Sequence, residues 1–107
     1  MKIYISGPIT GTDDYMQRFA KATEKLANEG FIPINPAAVN SMLPKETTYE
    51  EYMKMSLTML DMCEGIYMME GWEKSKGACI EFGYATAKEL IILSEVLQSY
   101  SAKVKLK

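Results

Sequence analysis

KIYISGPITG, residues 2–11, decides the fold. Its first five residues, Lys2 to Ser6, are rich in β-branched and aromatic side chains and stop at a Gly-Pro pair, which predicts a strand ending in a tight loop. A helix is expected next. Asp14 has Gln17 three residues on, the spacing of a capping box, and Tyr15, Phe19, Ala22 and Leu26 recur at helical spacing before Gly30 ends the run. FIPI, residues 31–34, is then a second strand, and Pro33 inside it points to a sheet edge, where a missing N–H costs nothing. Strand, helix and strand in this order open a βαβ unit.

Working outward, residues 35–47 contain two prolines and no sustained periodicity, and a loop of that length in a small domain predicts a lid. Thr48 with Glu51 repeats the capping-box spacing and opens a helix to about Cys63, with Tyr52, Ser56, Met59 and Cys63 on its stripe and Ser56 as the polar exception. GIYMM (65–69) reads as a third strand, GWEKS as a loop, Ser75 to about Lys88 as a helix and LIIL (90–93) as a fourth strand. Val104 and Leu106 alternate as in a further short strand after a helical turn. The pattern predicts an α/β protein with a three-layer Rossmann-like, flavodoxin-like fold, a parallel sheet of four to five strands, and one domain over residues 1–107. Such sheets bind ligands at the carboxyl ends of their strands, which places SGPITG, residues 35–47 and EGWEKS along one rim.

Composition narrows the chemistry. With 48% hydrophobic residues and a net charge of -2, the chain can bury a core and lacks the basic excess that a sequence-independent grip on nucleic acid requires. Lys103, Lys105 and Lys107 read as a solvated tail. The longest apolar run falls far short of a membrane span and no signal peptide precedes the first strand, so a soluble, cytoplasmic protein without membrane partners is expected. Histidine is absent, which excludes imidazole catalysis and His-containing zinc sites; Cys63 and Cys79 are expected as buried thiols, and no metal or cofactor is expected. What chemistry there is must use carboxylates, hydroxyls, backbone amides or tyrosine.

EGWEKSKGACIEFGYA, residues 70–85, places Glu81 four residues after Gly77 on one face of the helix that Ser75 opens. Gly77 leaves space at the helix entrance, and Glu81 would form the side wall of a pocket there, with the hydroxyls of Tyr4 and Ser56 to satisfy its carboxylate. Glu81 pointing to solvent, or pairing with Lys76 or Lys88, fits the spacing equally. Ser75 can cap the helix or turn its hydroxyl to a ligand, and Trp72 can stack on a base or anchor its loop. The glycines of SGPITG expose backbone amides that suit an anion, although a turn after a first strand needs glycine in any case. The nine methionines read as core filler.

IYISGPITG together with GWEKSKGACIEFGYA resembles the nucleoside 2-deoxyribosyltransferase-like superfamily, which includes the 2'-deoxynucleoside 5'-monophosphate N-glycosidases, and within it a small bacterial and phage branch with a GWE-S-GA--E signature. The resemblance spans about residues 2 to 93. It implies a doubly wound Rossmann-like sheet, a nucleoside or nucleotide as small-molecule substrate, and cleavage or transfer of its N-glycosidic bond. It makes Glu81 the nucleophile and Tyr4 its contact, and sets the backbone of Ser6, Gly7, Pro8 and Ile9 near the sugar or 5'-phosphate. Ser75 and Gly77 fall on the phosphate side, and Gly71 and Trp72 of the same signature count with the substrate-binding residues. A homodimer or higher homo-oligomer is implied as well. One position departs: where the superfamily carries an aspartate on the second helix, this chain has Ser56, and Asp61 comes one turn later. A serine is no general acid near neutral pH, so a non-catalytic nucleotide-binding or sensing module is the alternative.

Overall fold

The computed structural model describes residues 1–96. Four strands, β1 (Lys2–Ser6), β2 (Ile32–Ile34), β3 (Gly65–Met68) and β4 (Ile91–Ser94), form one all-parallel sheet in the order β2-β1-β3-β4. This is the flavodoxin-like order. The chain leaves β1 to one side for β2 and returns across it to β3, so the topological switch point lies between the carboxyl ends of β1 and β3. Pro33 sits opposite Ile3 on the edge strand β2, where only one neighbour needs its backbone. The tail strand expected at Val104 and Leu106, and the lysines beyond it, lie outside the described residues.

Helices α1 (Tyr15–Asn28), α2 (Pro36–Asn40), α3 (Tyr49–Asp61) and α4 (Lys76–Ala87) cover both faces. Alternation along β1 sorts the two cores. Ile3 and Ile5 pack with Phe19, Ala22 and Leu26 of α1 and Ala37 of α2, while Tyr4 faces Leu60 of α3 and Ala78 and Ala85 of α4. Among the described residues no helix is long and apolar enough to cross a membrane.

Several local expectations change. Asp14 makes no side-chain cap bond: its backbone, at φ -106° and ψ 16°, is not in the extended geometry that aims a capping carboxylate at the first turn. Thr48 and Glu51, by contrast, form both bonds of the capping box, at 3.1 and 2.8 Å. Residues 35–47 are not wholly irregular. Asn35 accepts from the Ala37 and Ala38 amides at 3.0 and 3.2 Å, and Pro36 in the next position starts α2, a cap-and-proline signal that the search for long periodicity passes over. α3 ends at Asp61, short of Cys63. Cys63 is buried, and burial pushes its thiol up to about 11; Cys79 is exposed, because α4 buries Ala78, Glu81 and Ala85 and turns Cys79 away from that stripe.

Candidate active site

Tyr4 and Ser6 are two apart on β1 and therefore point to the same face, the one α4 covers. Both reach Glu81. The Tyr4 hydroxyl donates to Oε2 at 2.7 Å and the Ser6 hydroxyl donates to Oε1 at 2.6 Å, so each carboxyl oxygen has its own donor. Glu81 is only 6% exposed and, among the described residues, pairs with no lysine; Lys88, one of the partners open to it by spacing, lies against Asp61 instead at 3.4 Å. Burial raises the Glu81 carboxyl above its ordinary range, against the hydrogen bonds from Ser6 and Tyr4, which favour the ionised form. Burial likewise pushes the Tyr4 phenol well up, the Glu81 charge adds to this, and the neighbouring Ser56 hydroxyl acts against it.

The expected second partner of Glu81 was Ser56. It is buried on α3 beside Tyr4, and its influence falls on the Tyr4 hydroxyl, while Ser6 takes the place on the carboxylate. The two-residue period of β1 puts Ser6 on the same face as Tyr4, a local signal that does not name its partner.

Glu81 opens onto a cavity of about 370 Å³ at the carboxyl end of β1, within the size of small-molecule sites. Of the residues singled out in the sequence, Tyr4, Gly7, Ile9, Ser56, Ser75, Gly77 and Glu81 line it. Glu81 is the one carboxylate in its described wall. Ser75 caps α4, accepting from the Ala78 amide at 3.2 Å, and still faces the cavity. At Gly77 a Cβ would stand 3.4 Å from both Met53 Sδ and the Tyr49 hydroxyl, so the glycine serves the close approach of α3 as well as the space in front of Glu81.

Ser6, whose hydroxyl is spent on Glu81, and Pro8, Gly71 and Trp72 do not line the cavity. Gly71 adopts φ +88° to start the 3₁₀ turn Trp72–Lys74, and its missing side chain faces Pro8 at 3.5 Å. Trp72 stacks on Phe82 of α4, ring centroids 4.6 Å apart, which is the anchoring use of the ring and not the base-stacking one. Residues the motifs did not single out complete the wall: Tyr15 on α1, Asn40 on α2, Lys45, and Tyr49, Tyr52 and Met53 on α3. For Asn40 and Lys45 the signal is the rim rule, which puts residues 35–47 over the site without saying which side chains turn inward; for Tyr15, Tyr49, Tyr52 and Met53 the packing of α1 and α3 decides it. Among the described residues no group of three His, Cys, Asp or Glu side chains comes together as a metal site.

Comparison with known proteins agrees with this architecture. A solved structure of a 2-deoxyribosyltransferase from the psychrotolerant bacterium Bacillus psychrosaccharolyticus superimposes with a TM-score of 0.70, covering 88% of this chain and 71% of that one at 15% identity. At that identity the likeness is one of fold. No curated protein matches the chain in sequence. The family described as a domain of unknown function, DUF4406, matches residues 1–94, and the chain belongs to it.

Proposed function

We propose that the protein cleaves or transfers the N-glycosidic bond of a deoxynucleoside or its 5'-monophosphate, with Glu81 as nucleophile. The observation that carries this reading is the Glu81 carboxyl, buried, held at both oxygens by Tyr4 and Ser6, and opening onto a ligand-sized cavity at the carboxyl end of β1. The shared fold with a 2-deoxyribosyltransferase supports it.

In this mechanism the ionised Glu81 attacks C1' of the deoxyribosyl group, and the bond to the base breaks with its electron pair leaving on the base nitrogen, which takes a proton from water. Water or a second base then attacks C1' of the glycosyl ester and frees Glu81. Tyr4 and Ser6 keep the carboxylate in one orientation, so the attacking oxygen needs no search at the moment of reaction. Ser75 and Gly77, at the N-terminal end of α4, suit the 5' end of the substrate, where backbone amides and the helix dipole favour an anion.

A second reading rests on the same wall. Glu81 has no second carboxylate facing it there, and Ser56 stands where an acid would assist the departing base. That arrangement fits a module that binds the nucleotide without turnover. Incubation with a panel of deoxynucleosides and their monophosphates, with and without an acceptor base, separates the two by following free base. Release without acceptor marks a hydrolase and exchange with acceptor a transferase. Tight binding with no release in any combination leaves only the sensing module.

A further inference from the structure

Ser75 and Gly77 mark the end of the cavity that suits the 5' end of a substrate, and a second set of groups meets them there. The Tyr49 hydroxyl stands 3.4 Å from where a Cβ on Gly77 would be, and Tyr49 lines the same wall. It is 41% exposed, and among the described residues its hydroxyl has no hydrogen-bond partner, whereas the hydroxyls of Tyr4 and Tyr84 are each held by a carboxylate. Burial raises the Tyr49 phenol, with the charges of Glu81 and Glu50 adding to it, so the hydroxyl keeps its proton and can donate. Lys45 is the one cation in the described wall, and it forms no ion pair among the described residues. A turn closed by the Thr47 amide on the Pro44 carbonyl at 3.1 Å holds Lys45 just ahead of Thr48, the cap of the helix that Tyr49 opens. Lys76 adds a further positive charge, its Nζ 5.7 Å from the centre of the Tyr49 ring.

We infer that Lys45 and Tyr49 decide between nucleoside and nucleotide: both donate to the 5'-phosphate of a bound deoxynucleoside monophosphate, from the α3 side of the cavity. This rests on the nucleoside reading above and narrows its substrate to the 5'-monophosphate. The spacing follows from α4. Gly77 and Glu81 are four residues apart on that helix, about 6 Å along its axis, which is close to the span of a deoxyribose from C1' to its 5' oxygen. A sugar with C1' at Glu81 and its 5' end toward Gly77 therefore sets its phosphate beside the Tyr49 hydroxyl. The charge pattern names the group. A neutral 5'-hydroxyl needs no cation, while a phosphate carries enough acceptor oxygens for an ammonium, a phenol and the α4 side together. Placed there, the anion stands a sugar length from Glu81, the one carboxylate of the described wall.

The test measures equilibrium binding in the Glu81→Gln protein, which keeps ligands intact. The ligands are the common 2'-deoxynucleosides, each matched with its 5'-monophosphate, and 2-deoxyribose 5-phosphate, which lacks a base. In at least one pair the monophosphate should bind on the order of 100-fold tighter, about tenfold for each of two hydrogen bonds to a charged group. Lys45→Gln and Tyr49→Phe should each lower that ratio about tenfold, and Lys45→Arg should keep it. Lys54→Gln, in a separate groove with Met55, Thr58 and Met59, matches the loss of charge and should leave the ratio in place. A ratio near one in every pair overturns the inference, as does a ratio that survives Lys45→Gln or Tyr49→Phe, or one that Lys54→Gln lowers equally. If no nucleoside or monophosphate binds but 2-deoxyribose 5-phosphate does, through Lys45 and Tyr49, the two residues keep their role toward phosphate and the nucleotide reading fails; if nothing binds, both fall. If the monophosphate binds through the two residues and wild-type protein never releases base, the inference stands and the glycosidic reading fails alone.

Discussion

The two faces of β1 have been put to opposite uses. Ile3 and Ile5 are fully buried against Phe19, Ala22 and Leu26 of α1, with no polar side chain among them, while Tyr4 and Ser6, their immediate neighbours in the chain, face Glu81 and Ser56. One side is an apolar interface that stabilises the sheet. The other buries a carboxyl group at a cost that only paired hydroxyls make tolerable. The contrast teaches that chemistry and stability are separated here by a single residue step, so substitutions on the two faces should fail in different ways.

The largest effect is expected on the polar face. Glu81→Gln should lower base release by on the order of 10³ or more, because an amide cannot form the glycosyl ester, while circular dichroism shows the fold intact. Activity close to wild type would reassign the nucleophile and erase the contrast. On the apolar face, Leu26→Ala should destabilise by about 2–5 kcal/mol in denaturant melts through lost burial and a residual cavity, yet leave the turnover of the folded protein unchanged, since Leu26 stands away from the cavity. A fall in turnover larger than the unfolded fraction explains would show the two faces to be coupled.

Ser56→Asp sharpens the comparison by adding a second acid to the polar face. Base release should rise by up to ~10²-fold if acid assistance limits the wild type, and mutual repulsion should move at least one of the two carboxyl groups upward, with the pH optimum. An inert wild type with an equally inert variant favours the sensing module. Ser6→Ala removes one of two hydrogen bonds to the carboxylate, worth about 1.5–3 kcal/mol to a charged group, so activity should fall roughly 10- to 100-fold at neutral pH. Its pH–rate profile should begin to rise at a higher pH than in wild type, because the bond lost favours the ionised form. An unmoved profile would mean that Ser6 does not tune Glu81.

The smallest effect is on stability. Burial raises the folded Glu81 carboxyl above its usual value of 4.5, so the folded protein keeps a proton there at pH values where the unfolded chain has released it. The contribution of Glu81 to stability is present at low pH and lost as pH rises through the raised folded value. Glu81→Gln should therefore melt at or above wild type at pH 8, with the difference shrinking as the pH falls below that value. A gap that widens toward acid would reverse the direction argued for this carboxyl.

How far the sequence could be read depended on whether a signal was local. The edge position of Pro33 and the Thr48–Glu51 box follow from steric and hydrogen-bonding rules that act within a few residues, and both hold. The same spacing at Asp14 failed because a cap needs a backbone conformation as well as a residue type. Cys79 failed because the face of α4 that turns inward is set by which elements cover it. Trp72 suits two uses in the sequence, and the Phe82 ring beneath it decides for the anchor.

By itself the sequence determined the α/β order of elements, the parallel sheet and the rim on which a site must lie, since strand and helix periods and turn residues are properties of short stretches of chain. Tertiary structure alone decided that Ser6 rather than Ser56 holds the second oxygen of Glu81, and that Cys79 turns outward from α4. Ser6 and Glu81 are 75 residues apart, and no periodicity reaches that far; their distance is set by how α4 packs across β1, a balance of side-chain volumes over the whole face of the sheet.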